Sequence, residues 1–169
     1  MIIKDSQTII DFLENRSTDY KGRTFMDIVE CSDKKMEECR DQVQWMFPLH
    51  EESNFAQTYP IVTAETLQKA KNSPFIKNNL LIAKSRMEKF LAIGECKDID
   101  IQRKWCQERN HNLLRITRVI RCLRLFGMKD DAIDFHDKAL KAGNYFGISN
   151  VTTAYWWRAL YEDIWTTLS

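Results

Sequence analysis

Apolar residues recur at intervals of three and four along most of the chain, which is the spacing that places them on one face of an α-helix. Alternation of apolar and polar residues, which indicates a β-strand, does not continue over a useful length. The pattern therefore predicts an all-α fold, a compact bundle of about six to eight helices. The clearest helix is segment 111–127, whose broad apolar face comprises Leu113, Ile116, Val119, Ile120 and Leu123.

Polar residues that cap helices stand at the start of several of these periodic segments. Their side chains accept hydrogen bonds from the free backbone N–H groups of the first helical turn, so each predicts where a helix begins. The predicted capping residues are Ser6, Thr24, Ser32, Thr63, Ser73 and either Ser149 or Asn150.

Glycine and proline predict where helices end. The helix that begins at Ser32 is expected to continue to Phe47, where Pro48 closes it, and the segment 48–62 is predicted to be a long ordered loop. Gly127 and Gly143 are predicted as C-terminal caps of two later helices. The polar segment 95–110 is predicted to be a loop with one helical turn.

Composition favours one globular domain spanning 1–169. Hydrophobic residues make up 44% of the chain and aromatic residues 11%, and 169 residues suffice to bury a substantial core. The net charge of +1 gives no bulk attraction to nucleic acid or to anionic membranes. No apolar run approaches the length of a membrane span, and acidic residues appear too early for a signal peptide. These features predict a soluble, cytoplasmic protein.

Cysteine and histidine provide no clustered set of metal ligands. The five cysteines are an odd number without a CxxC pair, and the three histidines are scattered. The spacing argues against structural disulfides and against a zinc site, and no cofactor motif is present. The expectation is a protein without metal or cofactor.

Trp45 occupies an unusual position in the predicted helix 32–47. On a helical wheel it shares an arc with Asp41, opposite the arc that holds Val43 and Phe47. If the Trp45 arc is exposed, a large aromatic side chain faces solvent; if it is buried, the Asp41 carboxylate is drawn in and requires a cation.

The helix that follows Asn110 offers such a cation. His111, Arg115, Arg118 and Cys122 form one stripe bordered on both sides by apolar residues, so we expect this stripe to be half-buried. We therefore predict that Asp41 pairs with Arg115 or Arg118, with Trp45 packed near the guanidinium. Two further arginines of this helix, Arg121 and Arg124, are predicted to be solvated.

Two interpretations of this polar set stay open. Its residues either line a cleft that binds a peptide carboxylate and an aromatic ring, or form a buried network that fixes helix packing. The candidate ligand-binding residues are Asp41, Gln42, Gln44, Trp45, His111, Asn112, Arg115 and Arg118. Elsewhere, Trp156 and Trp157 in the last helix are both predicted to be core residues, although Trp157 also has the spacing to pack on Tyr161.

Three motifs resemble one known family. MEECRDQVQWMFPLHEESNF with Pro60 downstream, HNLLRITRVIRCLRLFG at 111–127 and DYKGR at 19–23 are similar to the opioid growth factor receptor conserved region. The resemblance extends from about Thr18 to Trp165 and includes the helix around Tyr155. It implies an all-helical, non-catalytic domain associated in animal members with the pentapeptide Met-enkephalin and with the nucleus.

The resemblance predicts that the chain binds a peptide or protein partner without chemistry. Two alternatives are a small enzyme and a nucleic-acid-associated domain that uses the arginine helix. His111 and Cys122 do not support an enzyme, because eleven helical residues separate their side chains by about 16 Å. The arginines spread around more than half of their helix, which does not favour a phosphate-binding face.

Overall fold

The computed structural model describes residues 1–54 and 56–164. It confirms the all-α prediction: helices dominate, with one two-stranded parallel sheet formed by β1 (Ile2–Ile3) and β2 (Tyr59–Pro60). The helices in the described residues number ten rather than six to eight. They are α1 (Ser6–Leu13), α2 (Phe25–Val29), α3 (Asp33–Glu38), α4 (Arg40–Met46), α5 (Ala64–Ala70), α6 (Ile76–Leu91), α7 (Ile99–Trp105), α8 (His111–Leu125), α9 (Lys129–Tyr145) and α10 (Asn150–Tyr161).

The chain divides into two compact units, one built mainly from Met1–Ala83 and one from Lys84–Asp163. The boundary falls inside α6. The prediction of a single domain stays a prediction. No helix in the described part of the chain combines the length and apolar character needed to cross a membrane.

Packing of α1 against α5 organises the first unit. The prediction that Ser6 caps α1 is wrong, because Ser6 is the first residue of the helix. Asp5 is the cap, and its side chain accepts a hydrogen bond from the Thr8 amide. The Ser6 hydroxyl is buried against the hydroxyls of Thr63 (3.2 Å) and Thr66 (3.0 Å). A serine at this position therefore joins the two helices.

The predicted helix 32–47 is two helices. Ser32 caps α3 as expected, but Cys39 adopts extended backbone geometry (φ −97°, ψ 91°) and α4 starts at Arg40. Only Met36 is buried in α3, whereas five of the seven residues of α4 are buried. The break lets α3 stay at the surface while α4 is enclosed on both faces, which one straight helix does not allow.

In the second unit, α8 packs against α9 and α10, and α10 also packs against α9. The apolar face predicted for α8 is buried in full. Segment 95–110 contains α7, whose Trp105 indole N–H donates to the Leu91 carbonyl at 2.9 Å. Ser149 caps α10, as predicted.

Gly143 does not end a helix, because α9 continues to Tyr145. The glycine instead permits close approach of Trp156: a Cβ at position 143 would lie 3.1 Å from Cζ3 of the indole. Trp156 is fully buried and its indole N–H donates to the Leu113 carbonyl at 3.1 Å. The prediction that Trp156 is a core residue is confirmed.

Candidate functional site

Trp45 lies inside the first unit, with 2% of its surface exposed. Its ring makes an edge contact with Phe12 (centroids 5.0 Å apart) and stacks beneath Tyr20 (6.4 Å). Its indole N–H donates to the Thr58 carbonyl at 3.3 Å. Buried tryptophans normally satisfy this polar group, so Trp45 serves as a packing residue that ties α4 to the segment before β2.

The Asp41 carboxylate pairs with cations from the turn at residues 19–23. Oδ2 accepts hydrogen bonds from the hydroxyl of Tyr20, from Nη2 of Arg23 and from Nζ of Lys21, each at 2.9 Å. The predicted partner, Arg115 or Arg118, is therefore wrong. The helical wheel correctly indicated that Asp41 needs a cation. It could not indicate which turn packs against α4, because that depends on the tertiary fold.

The turn at 19–23 is built to supply those cations. Asp19 accepts from the backbone amides of Lys21 (2.9 Å) and Arg23 (3.0 Å), and Gly22 has φ +76°, which glycine adopts without strain. Nη2 of Arg23 also donates to Asp19 at 2.6 Å, so one guanidinium bridges two carboxylates. The motif DYKGR thus encodes one ion-pair network beside Trp45.

This network holds the Asp41 carboxyl ionised. Partial burial acts to raise its pKa, but the hydrogen bonds from Lys21, Arg23 and Tyr20 outweigh burial and lower the pKa from 3.8 to about 2. Two cations thus neutralise two carboxylates, Asp19 and Asp41. The result is a closed set of charges, the outcome expected of a structural network.

Gln42 and Gln44, the other two candidate residues of α4, are also buried. Gln42 accepts a hydrogen bond from the Cys31 thiol at 3.3 Å, and Gln44 donates to the Ser53 hydroxyl at 2.6 Å. Both side chains therefore join α4 to neighbouring segments of the first unit.

The four candidate residues of α8 lie in the second unit. Asn112 and Arg115 are buried, and Nη1 of Arg115 donates to Oδ1 of Asn112 at 3.1 Å. The Arg115 guanidinium also lies 5.9 Å from the ring centroid of Phe90. His111 and Arg118 are partly buried, so the prediction of a half-buried stripe is confirmed.

Five of the eight residues predicted to line a ligand cleft lie in the interior of the protein. Gln42, Gln44, Trp45, Asn112 and Arg115 are buried and offer little surface to a ligand. The structure describes the α4 set and the α8 set in different units. That they line one ligand cleft stays a prediction.

The outward side of α10 carries a row of mostly aromatic residues whose shared exposure the sequence did not predict. Trp157 is 57% exposed, so its predicted core position is wrong, although its predicted contact with Tyr161 is confirmed (centroids 5.0 Å apart). Tyr155 is 56% and Tyr161 49% exposed, and the Arg158 guanidinium lies 5.5 Å from the Tyr155 centroid. We call Val151, Tyr155, Trp157, Arg158 and Tyr161 the α10 row.

Two arginines of α8 contact the C-terminal end of α10 and engage its last polar groups. Nη1 of Arg124 donates to the carbonyls of Ala159 (3.1 Å) and Glu162 (2.6 Å), so Arg124 caps the end of α10 rather than being solvated. Arg121 lies 3.6 Å from the Glu162 carboxylate. Glu162 is therefore directed toward α8, and Arg158 has no carboxylate within ion-pair distance among the described residues.

Two of the cysteines, Cys106 and Cys122, have buried thiols with raised pKa values. Burial raises the pKa of the Cys106 thiol to about 12. Burial also raises the pKa of Cys122, despite the opposing charge of Arg118. A thiol attacks as its thiolate, so neither residue is suited to be a nucleophile. Within residues 1–54 and 56–164, no three potential ligands converge on a metal site.

A cavity of about 420 Å³ opens in the second unit. The turn after α6, the first part of α7 and the last turns of α9 enclose it. Its lining residues are Ile93, Lys97, Ile99, Gln102, Lys138, Lys141, Ala142 and Tyr145. No sequence motif marked this place, because its lining residues come from three separate segments.

The family relationship rests on most of the chain. The sequence pattern described as the opioid growth factor receptor (OGFr) conserved region matches residues 13–138, about three quarters of the 169 residues. The chain belongs to this family. Comparison with curated proteins and with solved structures found no match.

The OGFr match covers most of the segments that surround Trp45 in the first unit. It includes the 19–23 turn, the whole of α4 and β2, three of the segments that enclose Trp45, whereas Phe12, which also contacts the Trp45 ring, lies one residue before the match. The α10 row lies beyond residue 138, so the resemblance noted around Tyr155 stays a prediction. The OGFr conserved region thus covers the buried Trp45 cluster except for Phe12, and it leaves the exposed row of α10 outside.

Proposed function

We propose that this OGFr-family chain is a non-catalytic binding domain, and that its partner is a peptide segment with apolar side chains and a carboxylate. The observation that supports this is the α10 row. At about 100° per residue, its five side chains fall within about 160° of the helix circumference. Contiguous exposed apolar surface is characteristic of interaction sites rather than of free surface.

The composition of the row suits binding. Tryptophan, tyrosine and arginine are the residues whose truncation costs most at protein interfaces. Trp157 and Tyr161 present one paired aromatic surface, and Tyr155 with Arg158 presents another. Rigid aromatic side chains lose little conformational entropy when a partner covers them.

The positive charge of Arg158 favours a partner that carries a carboxylate. The carboxylate of Glu162, four residues after Arg158, is directed toward Arg121, which leaves the Arg158 guanidinium to a carboxylate of the partner. A peptide with a free C-terminus or an acidic side chain supplies that group. The name of the family, a growth factor receptor, agrees with a binding role.

The test is calorimetric titration of the chain with short aromatic peptides, each prepared with a free and with an amidated C-terminus. Met-enkephalin is included because the resemblance implies it. We expect the free-acid peptides to bind more tightly, and Trp157→Ala and Arg158→Ala each to weaken binding by at least about tenfold, or 1.4 kcal/mol. Phe75→Ala, which truncates an exposed aromatic residue of the first unit, is the matched control.

Two results oppose the proposal. One is the absence of binding by every peptide of the panel. The other is binding that Trp157→Ala and Arg158→Ala leave unchanged, which places the site elsewhere.

A further inference from the structure

The cavity of the second unit has the dimensions of a small-molecule site. Its volume, about 420 Å³, falls in the range of about 300–1,000 Å³ typical of ligand pockets. Ile93 and Ala142 are buried and provide apolar walls, while Ile99 and Tyr145 stand exposed at the opening. The cavity is separate from the α10 row and does not depend on the function proposed for that row.

One polar group faces this apolar interior. Gln102 is buried, and its Nε2 donates to the Ala92 carbonyl at 2.7 Å. That bond fixes the orientation of the amide. The side chain is therefore held as part of the wall, with one of its two amide N–H donors satisfied by the protein.

The lysines around the cavity differ in their pairing. Nζ of Lys138 contacts Asp134 (2.8 Å) and Glu88 (3.2 Å), and Lys84 contacts the same two carboxylates at 2.6 and 2.8 Å. These four groups contribute two positive and two negative charges. Lys138 therefore brings no unbalanced charge to the cavity.

Lys97 and Lys141 are different, because neither forms an ion pair within the described residues and no acidic side chain lines the cavity there. Two nearby carboxylates are already engaged. Asp98 accepts from the backbone amides at the start of α7, and Asp100 pairs with Arg103 at 2.8 Å. The apolar cavity thus has two uncompensated ammonium groups at its edge.

We propose that this cavity binds a small amphiphilic carboxylate. Its apolar body lies between Ile93, Ile99 and Ala142, and its carboxylate is held by Lys97 and Lys141. A neutral apolar molecule leaves both ammonium groups unmatched, and a small inorganic anion leaves the apolar walls uncovered. The ligand class that satisfies both features has an unbranched or aromatic body and one acidic end.

The probe is octanoate, followed through the amide resonances of Gln102, Ala142 and Tyr145 in ¹H–¹⁵N NMR spectra of the full chain. A ligand of this size is expected to bind with a dissociation constant of about 1 mM. We expect Lys97→Gln with Lys141→Gln to weaken octanoate binding at least about tenfold. Lys104→Gln with Lys129→Gln is the matched control, since it removes the same charge from α7 and α9 outside the cavity.

Two further arms separate the apolar and the ionic contributions. 1-Octanol should bind to the unaltered chain at least about tenfold more weakly than octanoate does. Its affinity should be the same for the unaltered chain and for the double variant Lys97→Gln with Lys141→Gln. Ile99→Glu, at a half-exposed position, should abolish octanoate binding by charge repulsion without disturbing the fold.

The proposal is overturned if octanoate produces no shifts at about 10 mM, or if octanol binds as tightly as octanoate. It is also overturned if inorganic phosphate displaces octanoate, which indicates a site for anions alone. Equal octanoate affinity in the two double variants has the same meaning, because the charge at the cavity then has no special role.

Discussion

The indole N–H of Trp45 donates to the backbone carbonyl of Thr58 from a position where only 2% of the residue is exposed. This bond joins α4 to the segment that leads into β2, while the rings of Phe12 and Tyr20 hold the indole from two other directions. An aromatic residue placed on the polar side of a helical wheel is here enclosed by a second layer of structure.

Removal of this ring should be costly. We expect Trp45→Ala to lower the free energy of unfolding by about 3–5 kcal/mol, because it leaves a cavity and an unpaired carbonyl. Urea unfolding followed by circular dichroism measures this. Trp157→Ala is the control and should change stability by no more than about 0.5 kcal/mol, because that ring is largely exposed. A loss below about 1 kcal/mol for Trp45→Ala would contradict the packing role.

The Asp41 network makes stability depend on acid pH. The pKa of Asp41 falls from 3.8 in the unfolded chain to about 2 in the folded one, so its contribution is complete above about pH 4 and is lost as the pH falls toward 2. Allowing for solvent screening near the half-exposed Lys21, the contribution is about 1–2 kcal/mol.

Asp41→Asn tests this linkage. The stability difference between the unaltered chain and Asp41→Asn should be largest at pH 6 and shrink as the pH approaches 2, as measured by urea unfolding at each pH. Glu95→Gln, which alters an exposed carboxylate, is the control. A difference that stays constant from pH 6 to pH 2 would show that Asp41 is not held ionised by its neighbours.

Gly143 and its neighbour Asn144 provide a paired test of packing in the second unit. An alanine at position 143 gains up to about 1 kcal/mol of helix propensity, but its Cβ meets an indole ring anchored by a hydrogen bond. Overpacking costs about 1–3 kcal/mol, so we expect Gly143→Ala to destabilise the chain by about 1 kcal/mol.

Asn144→Ala should instead be neutral or slightly stabilising, because residue 144 is exposed in the same helix turn and gains only propensity. Thermal unfolding of the two variants side by side gives the comparison. Stabilisation by Gly143→Ala would mean that Trp156 can move away at little cost.

The cysteines should react in an order set by exposure and pKa. At pH 8 we expect an aromatic disulfide reagent to modify Cys96 first, since it is exposed, while Cys106 and Cys122 stay unmodified until the chain unfolds. Mass spectrometry of digested, partly labelled protein identifies the sites. Early labelling of Cys122 would indicate that α8 opens readily in the native state.

Periodicity and capping residues predicted helix positions well, because these signals are local. Thr24, Ser32, Thr63 and Ser149 cap the helices expected of them. The break at Cys39 was not predictable in this way, since no glycine or proline stands at or beside this residue.

Tertiary partners were harder to foresee. The need of Asp41 for a cation was visible in the sequence, yet the cation came from a turn about twenty residues earlier rather than from α8. Trp157 and Trp156 have the same residue type and adjacent positions, and only the packing of α10 decides which ring is buried. Gly143 was misassigned because a close approach and a helix end use the same residue type.

During synthesis, Ile2–Ile3 are made well before Tyr59–Pro60, the strand with which they pair in parallel. Ser6 is likewise synthesised well before Thr63 and Thr66, the residues whose hydroxyls contact its own. The helices between them can form from local contacts, whereas these long-range pairings require closure of a large loop and are expected to form late. The Ile61 amide, which donates to the Ile3 carbonyl at 2.8 Å, is therefore the natural reporter, in pulsed hydrogen exchange, of the moment at which the first unit is complete.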